Sequence, residues 1–334
     1  MSELYLTRRQ FLGSSIAVAV AGPLLLSTEA VAADTSRVVD AYKGERGTTL
    51  TLELDNAPFP AQGSRYRDAT VLVFVPHHFR VVANEVDTVI HFHGHNTTAA
   101  ESMVQHQLRE QFYESKQNAI LVMPQGPINA SSSDGGKLDK EGGLLAFLTD
   151  LRKTLQSRAA RRALGAAHIA TRARIGTVCM SAHSGAYAVV ARCLAVGGYD
   201  VNEVYLFDAL YGDVESYADW IAAKAKTQSP RERHKLISYY AGGKVASNNS
   251  KLMRDLDNRK IGYIHEKQEG TSSRAELTLA RAVFIRTAVS HGAVTHRFNN
   301  LRDCLYASCL KRRLKSDWFN HKDGSRELER LHPE

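Results

Sequence analysis

The 334-residue chain carries 43 lysines and arginines against 35 aspartates and glutamates, a formal net charge of +8, and 43% hydrophobic residues. That length and apolar content suffice for one large α/β domain or two small ones. The basic runs at Arg158 to Arg174 and at Lys311-Arg312-Arg313 contain almost no aromatic residues, which argues against a nucleic-acid surface and for solvated helix faces.

The first 33 residues read as a separate segment. Thr7-Arg8-Arg9-Gln10-Phe11-Leu12 is a twin-arginine pair followed by large apolar residues, an uncharged stretch runs from Gly13 to Ser27, and Ala30-Val31-Ala32 is a small-x-small cleavage site. This is the order of a twin-arginine signal peptide, with cleavage near Ala32, passage of the folded chain through the twin-arginine export machinery, and a periplasmic or extracellular destination. The apolar stretch is short for a bilayer and Pro23 interrupts it, so no membrane span is expected in the mature chain. An oxidising destination permits disulfides among Cys179, Cys193, Cys304 and Cys309. Cys179 falls in a predicted buried strand, and Cys304 and Cys309 lie five apart on a predicted helix, a poor geometry for pairing with each other.

Eight β-rich runs follow in the mature chain: Thr48 to Leu54, Ala69 to Val75, Val86 to His93, Ala119 to Met123, Arg174 to Ser181, Glu203 to Phe207, His234 to Tyr240 and Val283 to Ser290. Several are continuous apolar segments, as expected of strands covered on both faces. Helical patterns lie at Gly142 to Leu155, Gly185 to Val196, Ser216 to Lys226, Ser250 to Arg259 and Phe298 to Lys311. The first two strands lack a helix between them and should be antiparallel; the remainder alternate strand and helix, predicting a mostly parallel eight-stranded sheet with helices on both faces in a single domain, residues 34–334. A polar loop from Gly126 to Gly143 leaves the fourth strand and is expected to rim the site, while Ile261 to Glu276 reads as an insertion.

Ser184 stands at the end of the fifth strand, in TVCMSAHS, immediately before the helix GAYAVVARCLAV. A sharp strand-to-helix turn would expose its hydroxyl above the sheet, and the small residues Ala182 and Ala186 would let strand and helix approach. A serine hydroxyl needs a histidine base oriented by an acid. Asp208 ends the sixth strand in VYLFDALYG, with Asp213 in reserve, and His291 follows the eighth strand in FIRTAVSHG, with His296 as the alternative base. The negative oxygen of an acyl-transfer intermediate needs N–H donors: Gly185 supplies one, and the loop His93-Gly94-His95 after the third strand supplies another at His95.

With this set of strand-end residues the chain resembles the α/β-hydrolase superfamily, serine esterase or lipase type, over about residues 48 to 312. The resemblance implies a nucleophile at Ser184, a base at His291, an acid at Asp208, oxyanion donors at His95 and Gly185, a small-molecule or envelope-derived ester as substrate, and no metal or organic cofactor. Two features depart from the common pattern: alanines flank the elbow where glycines are usual, and the acid follows the sixth strand rather than the seventh. Three other readings are compatible with the same residues. An amidase or peptidase would use the same triad. His91, His93 and His95 alternate along a strand and could hold a catalytic zinc. A binding protein built on a hydrolase scaffold would need no chemistry at all.

Overall fold

Ten strands form one sheet: β1 (Arg37–Lys43), β2 (Gly47–Glu53), β3 (Thr70–Pro76), β4 (Glu85–Phe92), β5 (Ala119–Pro124), β6 (Arg174–His183), β7 (Glu203–Phe207), β8 (Lys235–Tyr240), β9 (Ile264–Glu266) and β10 (Ala282–Arg286). The structure, a computed structural model, describes residues 35–131 and 134–316. The segment read as a signal peptide lies outside the described residues. Across the sheet the order is β1-β2-β3-β5-β4-β6-β7-β8-β10-β9. The β1–β2, β2–β3 and β3–β5 pairs are antiparallel, and every pair from β5–β4 onward is parallel.

Burial explains this layout. β5 and β8 are buried along their whole length, and β3 and β4 along nearly all of theirs, so their apolar runs satisfy a sheet covered on both faces. β1 is exposed along almost its whole length, as suits a charged edge strand. The count of ten therefore exceeds the eight expected, by one strand at each edge. β1, RVVDAYK, has no buried face to impress a pattern on its sequence. β9 is only three residues long and lies inside the segment read as an insertion.

The helices are α1 (Ala99–Gln105), α2 (Leu108–Glu114), α3 (Gly143–Leu155), α4 (Arg158–Leu164), α5 (Tyr187–Val196), α6 (Val214–Ala223), α7 (Gly243–Asn258), α8 (Arg274–Leu279) and α9 (Asn300–Tyr306). One face of the sheet is covered by Met103, Leu108 and Phe112 of α1 and α2, Leu277 of α8 and Leu301 and Leu305 of α9. The other is covered by side chains of α3 to α7, among them Leu148, Leu164, Val190, Tyr217 and Leu252. No helix among the described residues is long and apolar enough to cross a membrane.

α1 and α2 fill the crossover from β4 to β5, where the sequence pattern shows no helix. Each has seven residues, too few to display a 3.6-residue period, and Gln107 between them takes a left-handed conformation at φ 50°. α1 nonetheless has a capping box, Thr98 with Glu101, which satisfies two otherwise orphaned N–H groups. α9 stops at Tyr306 rather than running to Lys311: the Ser308 hydroxyl donates back to the Leu305 carbonyl at 2.6 Å, offering the backbone an alternative to another helical turn. All four cysteines are buried, and none is in a disulfide.

Candidate active site

The carboxyl ends of β6, β7 and β10 bring together the three side chains picked out in the sequence. β6 runs directly into one turn of 3-10 helix, Ser184–Ala186, which leads into α5. Ser184 sits at φ 57°, a left-handed conformation disfavoured for any residue but glycine and worth about 1–3 kcal/mol of stored strain. That conformation turns the chain from strand to helix in one residue and lifts the hydroxyl away from the sheet. Ala182 and Ala186 are fully buried on either side, so methyl groups are tolerated at both flanking positions of this elbow.

The Ser184 hydroxyl donates to Nε2 of His291 at 2.8 Å, and Nδ1–H of His291 donates to Oδ2 of Asp208 at 2.6 Å. A carboxylate accepts, which fixes the ring proton on Nδ1 and leaves Nε2 free to receive the serine proton. Asp208, also left-handed at φ 46°, is buried, and its second oxygen accepts the Ala241 N–H at 3.0 Å. The His291 side chain is 43% exposed, so the ring faces a space that solvent or a small molecule can enter. The arrangement can move a proton from oxygen to nitrogen while the acid holds the ring. Asp213 is exposed at the start of α6, and His296 packs against His106 with ring centroids 5.4 Å apart; the His291 ring bonds instead to Asp208 and Ser184.

The loop after β4 lies against the elbow. A Cβ placed on Gly94 would come within 3.1 Å of Ser184 Cβ and 2.9 Å of His183 Nδ1, so a side chain here would force the His183 ring to shift, and glycine lets this loop lie against the elbow undisturbed. The neighbouring residue, His95, is exposed. Gly185 is the second residue of the 3-10 turn, where the first N–H groups of a helix lack intrahelical partners. The Asn96 N–H donates to the Ile128 carbonyl at 2.7 Å, tying this loop to the one that follows β5. Beside the acid, at the ends of β8 and β10, a cleft of about 640 Å³ is bordered by Ala241, Lys267, Arg286, Thr287 and Phe298.

His91, His93 and His95 do not converge on a point. His91 Nδ1 meets the Ser181 hydroxyl at 2.7 Å. His93 donates to the Gly94 carbonyl at 2.9 Å and accepts the Gly126 N–H at 2.9 Å. Both rings are thus engaged as buried structural groups. Burial, with the nearby His183 and His93 rings, depresses His91 to about 3, and burial lowers His93 as well. Among the described residues, the group whose ligand-type atoms do converge, within 4.8 Å, is Cys179, Glu203 and Cys309, at the opposite end of the same strands. Its carboxylate is already used: Glu203 accepts from the Tyr205 hydroxyl at 2.5 Å and the Cys309 N–H at 2.9 Å.

Two site neighbours escaped the sequence analysis. His183, one residue before the serine, donates Nε2–H to the backbone carbonyl of His291 at 2.8 Å, and the His106 ring packs behind it, tilted by 54°, with centroids 4.8 Å apart. His183 lies inside the motif that drew attention to Ser184, but its partner is a backbone atom, which no side-chain pattern reveals. His106 sits on the unpredicted α1–α2 turn.

The sheet order, the crossovers and the strained serine between β6 and α5 define an α/β-hydrolase fold. No family model matches the chain, and no curated protein does. Among solved structures, the feruloyl esterase module of Clostridium thermocellum is 12% identical, with a TM-score of 0.41 over 84% of this chain and 90% of its own. FphF, a fluorophosphonate-binding serine hydrolase of Staphylococcus aureus, is 9% identical, with a TM-score of 0.45 over 77% of this chain and 97% of its own. The siderophore hydrolase EstB of Aspergillus nidulans is 11% identical, with a TM-score of 0.40 over 89% of this chain and 98% of its own. These are distant likenesses, and it is the topology and the elbow of this chain that define its fold.

Proposed function

We propose that the chain is a serine hydrolase that cleaves a carboxylic ester through an acyl-enzyme. The observation that carries this reading is the continuous hydrogen-bonded line from the Ser184 hydroxyl through His291 to buried Asp208, with the serine held at φ 57°. As Ser184 Oγ forms its bond to the substrate carbonyl carbon, its proton passes to His291 Nε2, and Asp208 stabilises the resulting imidazolium. The carbonyl electrons move to oxygen, and the N–H groups of Gly185 and His95 receive that negative charge; one such donor is typically worth about 3 kcal/mol. When the tetrahedral carbon collapses, the bond to the alcohol oxygen breaks and His291 returns the proton to it. Water, deprotonated by the same ring, then attacks the acyl-enzyme and releases the acid and free Ser184. No step requires a metal or an organic cofactor. An amide would follow the same route with an amine as leaving group, so a comparison of matched ester and amide substrates decides between esterase and amidase.

The segmented N-terminus supports the further reading that residues 1–33 are a twin-arginine signal peptide, that residues 34–334 form the hydrolase domain, and that the mature enzyme works outside the cytoplasm on a small-molecule or envelope-derived ester. A zinc hydrolase built on His91, His93 and His95 is disfavoured by the separate partners of the first two rings.

The test is hydrolysis of short-acyl p-nitrophenyl esters by the parent and by His291→Ala. The parent should turn over, retain its rate under strong chelation, and lose about 10⁴-fold or more in the variant. Equal rates in parent and variant would overturn the proposal. A parent inactive on a broad panel of activated esters would favour a binding protein.

A further inference from the structure

Behind the proposed triad the imidazoles of His291, His183, His106 and His296 form a row, with successive ring centroids 4.9, 4.8 and 5.4 Å apart. His183 is the member that adjoins the elbow, the loop after β10 and the loop after β4. It immediately precedes Ser184 in the chain. Its Nε2 lies 2.8 Å from the backbone carbonyl of His291, on the loop after β10. Its Nδ1 lies against Gly94, on the loop after β4, where an added Cβ would come within 2.9 Å of it.

A carbonyl only accepts, so the His183 proton is on Nε2 and Nδ1 is bare. Nδ1 is buried and finds no hydrogen-bond partner among the described residues. Packing alone does not account for that: a leucine or phenylalanine would fill the space without burying an unpaired nitrogen. What the imidazole adds is a donor aimed at the main chain of the residue proposed as the base. We propose that His183 is a positioning residue, which by this hydrogen bond and by its contact with Gly94 holds the base loop and the oxyanion loop in register with Ser184. The inference rests on the hydrolase reading above.

The charge state of the ring suits the role. Burial and the neighbouring His291 depress its pKa to about 4, so at neutral pH it donates a hydrogen bond without placing a cation beside the imidazolium that His291 becomes during turnover. A buried lysine or arginine in its place would oppose that charge.

Turnover of a short-acyl p-nitrophenyl ester by the full-length proteins His183→Leu and His183→Gln tests the inference, with melting temperature measured for each. His183→Leu should lower kcat by about 10²-fold, the cost typical of small misplacements of reacting groups, with KM changed less than twofold. The low-field proton resonance of the His291–Asp208 hydrogen bond should broaden or shift. His183→Gln, which restores an N–H donor, should recover most of the rate. If His183→Leu does not fold, Gly94→Ala, which pushes on the same ring from the other side, must lower kcat without altering KM. Wild-type kcat in His183→Leu, or losses in the leucine and glutamine variants that simply track their melting temperatures, would overturn the role. A parent that a fluorophosphonate fails to label at Ser184 would instead overturn the hydrolase reading itself.

Discussion

The parallel half of the sheet carries two polar clusters of opposite character, one at the carboxyl ends of β6, β7 and β10 and one lower in β6, β7 and β8. At the carboxyl ends, Ser184, Asp208 and His291 occupy strained or open positions: two of the three residues have left-handed backbones, and the histidine side chain is 43% exposed. In the other cluster, Cys179 in the middle of β6 stands in register with Glu203 and Lys235 at the starts of β7 and β8, and all three are all but inaccessible. The Lys235 ammonium donates to the Ala307 carbonyl at 2.5 Å, and Glu203 accepts from Tyr205 and Cys309. One cluster leaves its reactive atoms facing a space; the other spends every strong donor and acceptor on the protein itself. Similar residue types thus form the proposed triad at one end and fasten the segment around Ala307 and Cys309 at the other. Backbone strain and exposure, rather than the presence of titratable groups, distinguish them.

Substitutions at the two ends should separate accordingly. The largest effect is expected from Ser184→Ala, which should lower kcat/KM for activated esters by about 10⁴- to 10⁶-fold while the melting temperature stays the same or rises; a loss of activity that only accompanies unfolding would erase the distinction. Glu203→Gln should do the converse. Hydrogen bonds to a charged group contribute about 1.5–3 kcal/mol, so chemical denaturation should report roughly 2 kcal/mol of lost stability with kcat unchanged. A drop in kcat without a drop in stability would place function at the amino ends.

A smaller, pH-dependent effect sharpens the same contrast. Burial, with repulsion from neighbouring rings, depresses His91 to about 3 and His106 to about 2, against an ordinary 6.5. These rings remain neutral in the folded protein and take up protons on unfolding once the pH falls below about 6.5. Their contribution therefore destabilises the fold progressively from pH 6.5 down toward the folded values, by at most about 1.4 kcal/mol per pH unit for each ring. His106→Leu should flatten the acid limb of a stability–pH profile by about one proton; an unchanged slope would mean that His106 is protonated in the fold.

Much of this was legible in the sequence, for identifiable reasons. The continuous apolar runs of β3, β4, β5 and β8 announce strands buried on both faces, and their order makes the ends of β6, β7 and β10 the places to seek a site. Ser184, Asp208 and His291 were each singled out by position at a strand end rather than by residue type, and the structure brings the three within hydrogen-bonding reach. What the sequence concealed is short, made of backbone or, in β1, without a buried face to pattern it. β9 has three residues and α1 and α2 seven each, below the length at which periodicity shows. The His183 hydrogen bond ends on a carbonyl, and the closeness of Gly94 to the elbow is a tertiary contact between loops 90 residues apart in the chain. The preference for Asp208 over Asp213 as the partner of His291 depends on which way a turn faces, which sequence order leaves open.

Treatment of the full-length protein with a fluorophosphonate, followed by digestion and mass mapping of the modified peptide, bears most directly on the central claim. The account predicts a single stoichiometric adduct on Ser184, absent from Ser184→Ala and greatly slowed in His291→Ala. An unmodified Ser184 in folded protein, or an adduct that forms equally fast without His291, would contradict it.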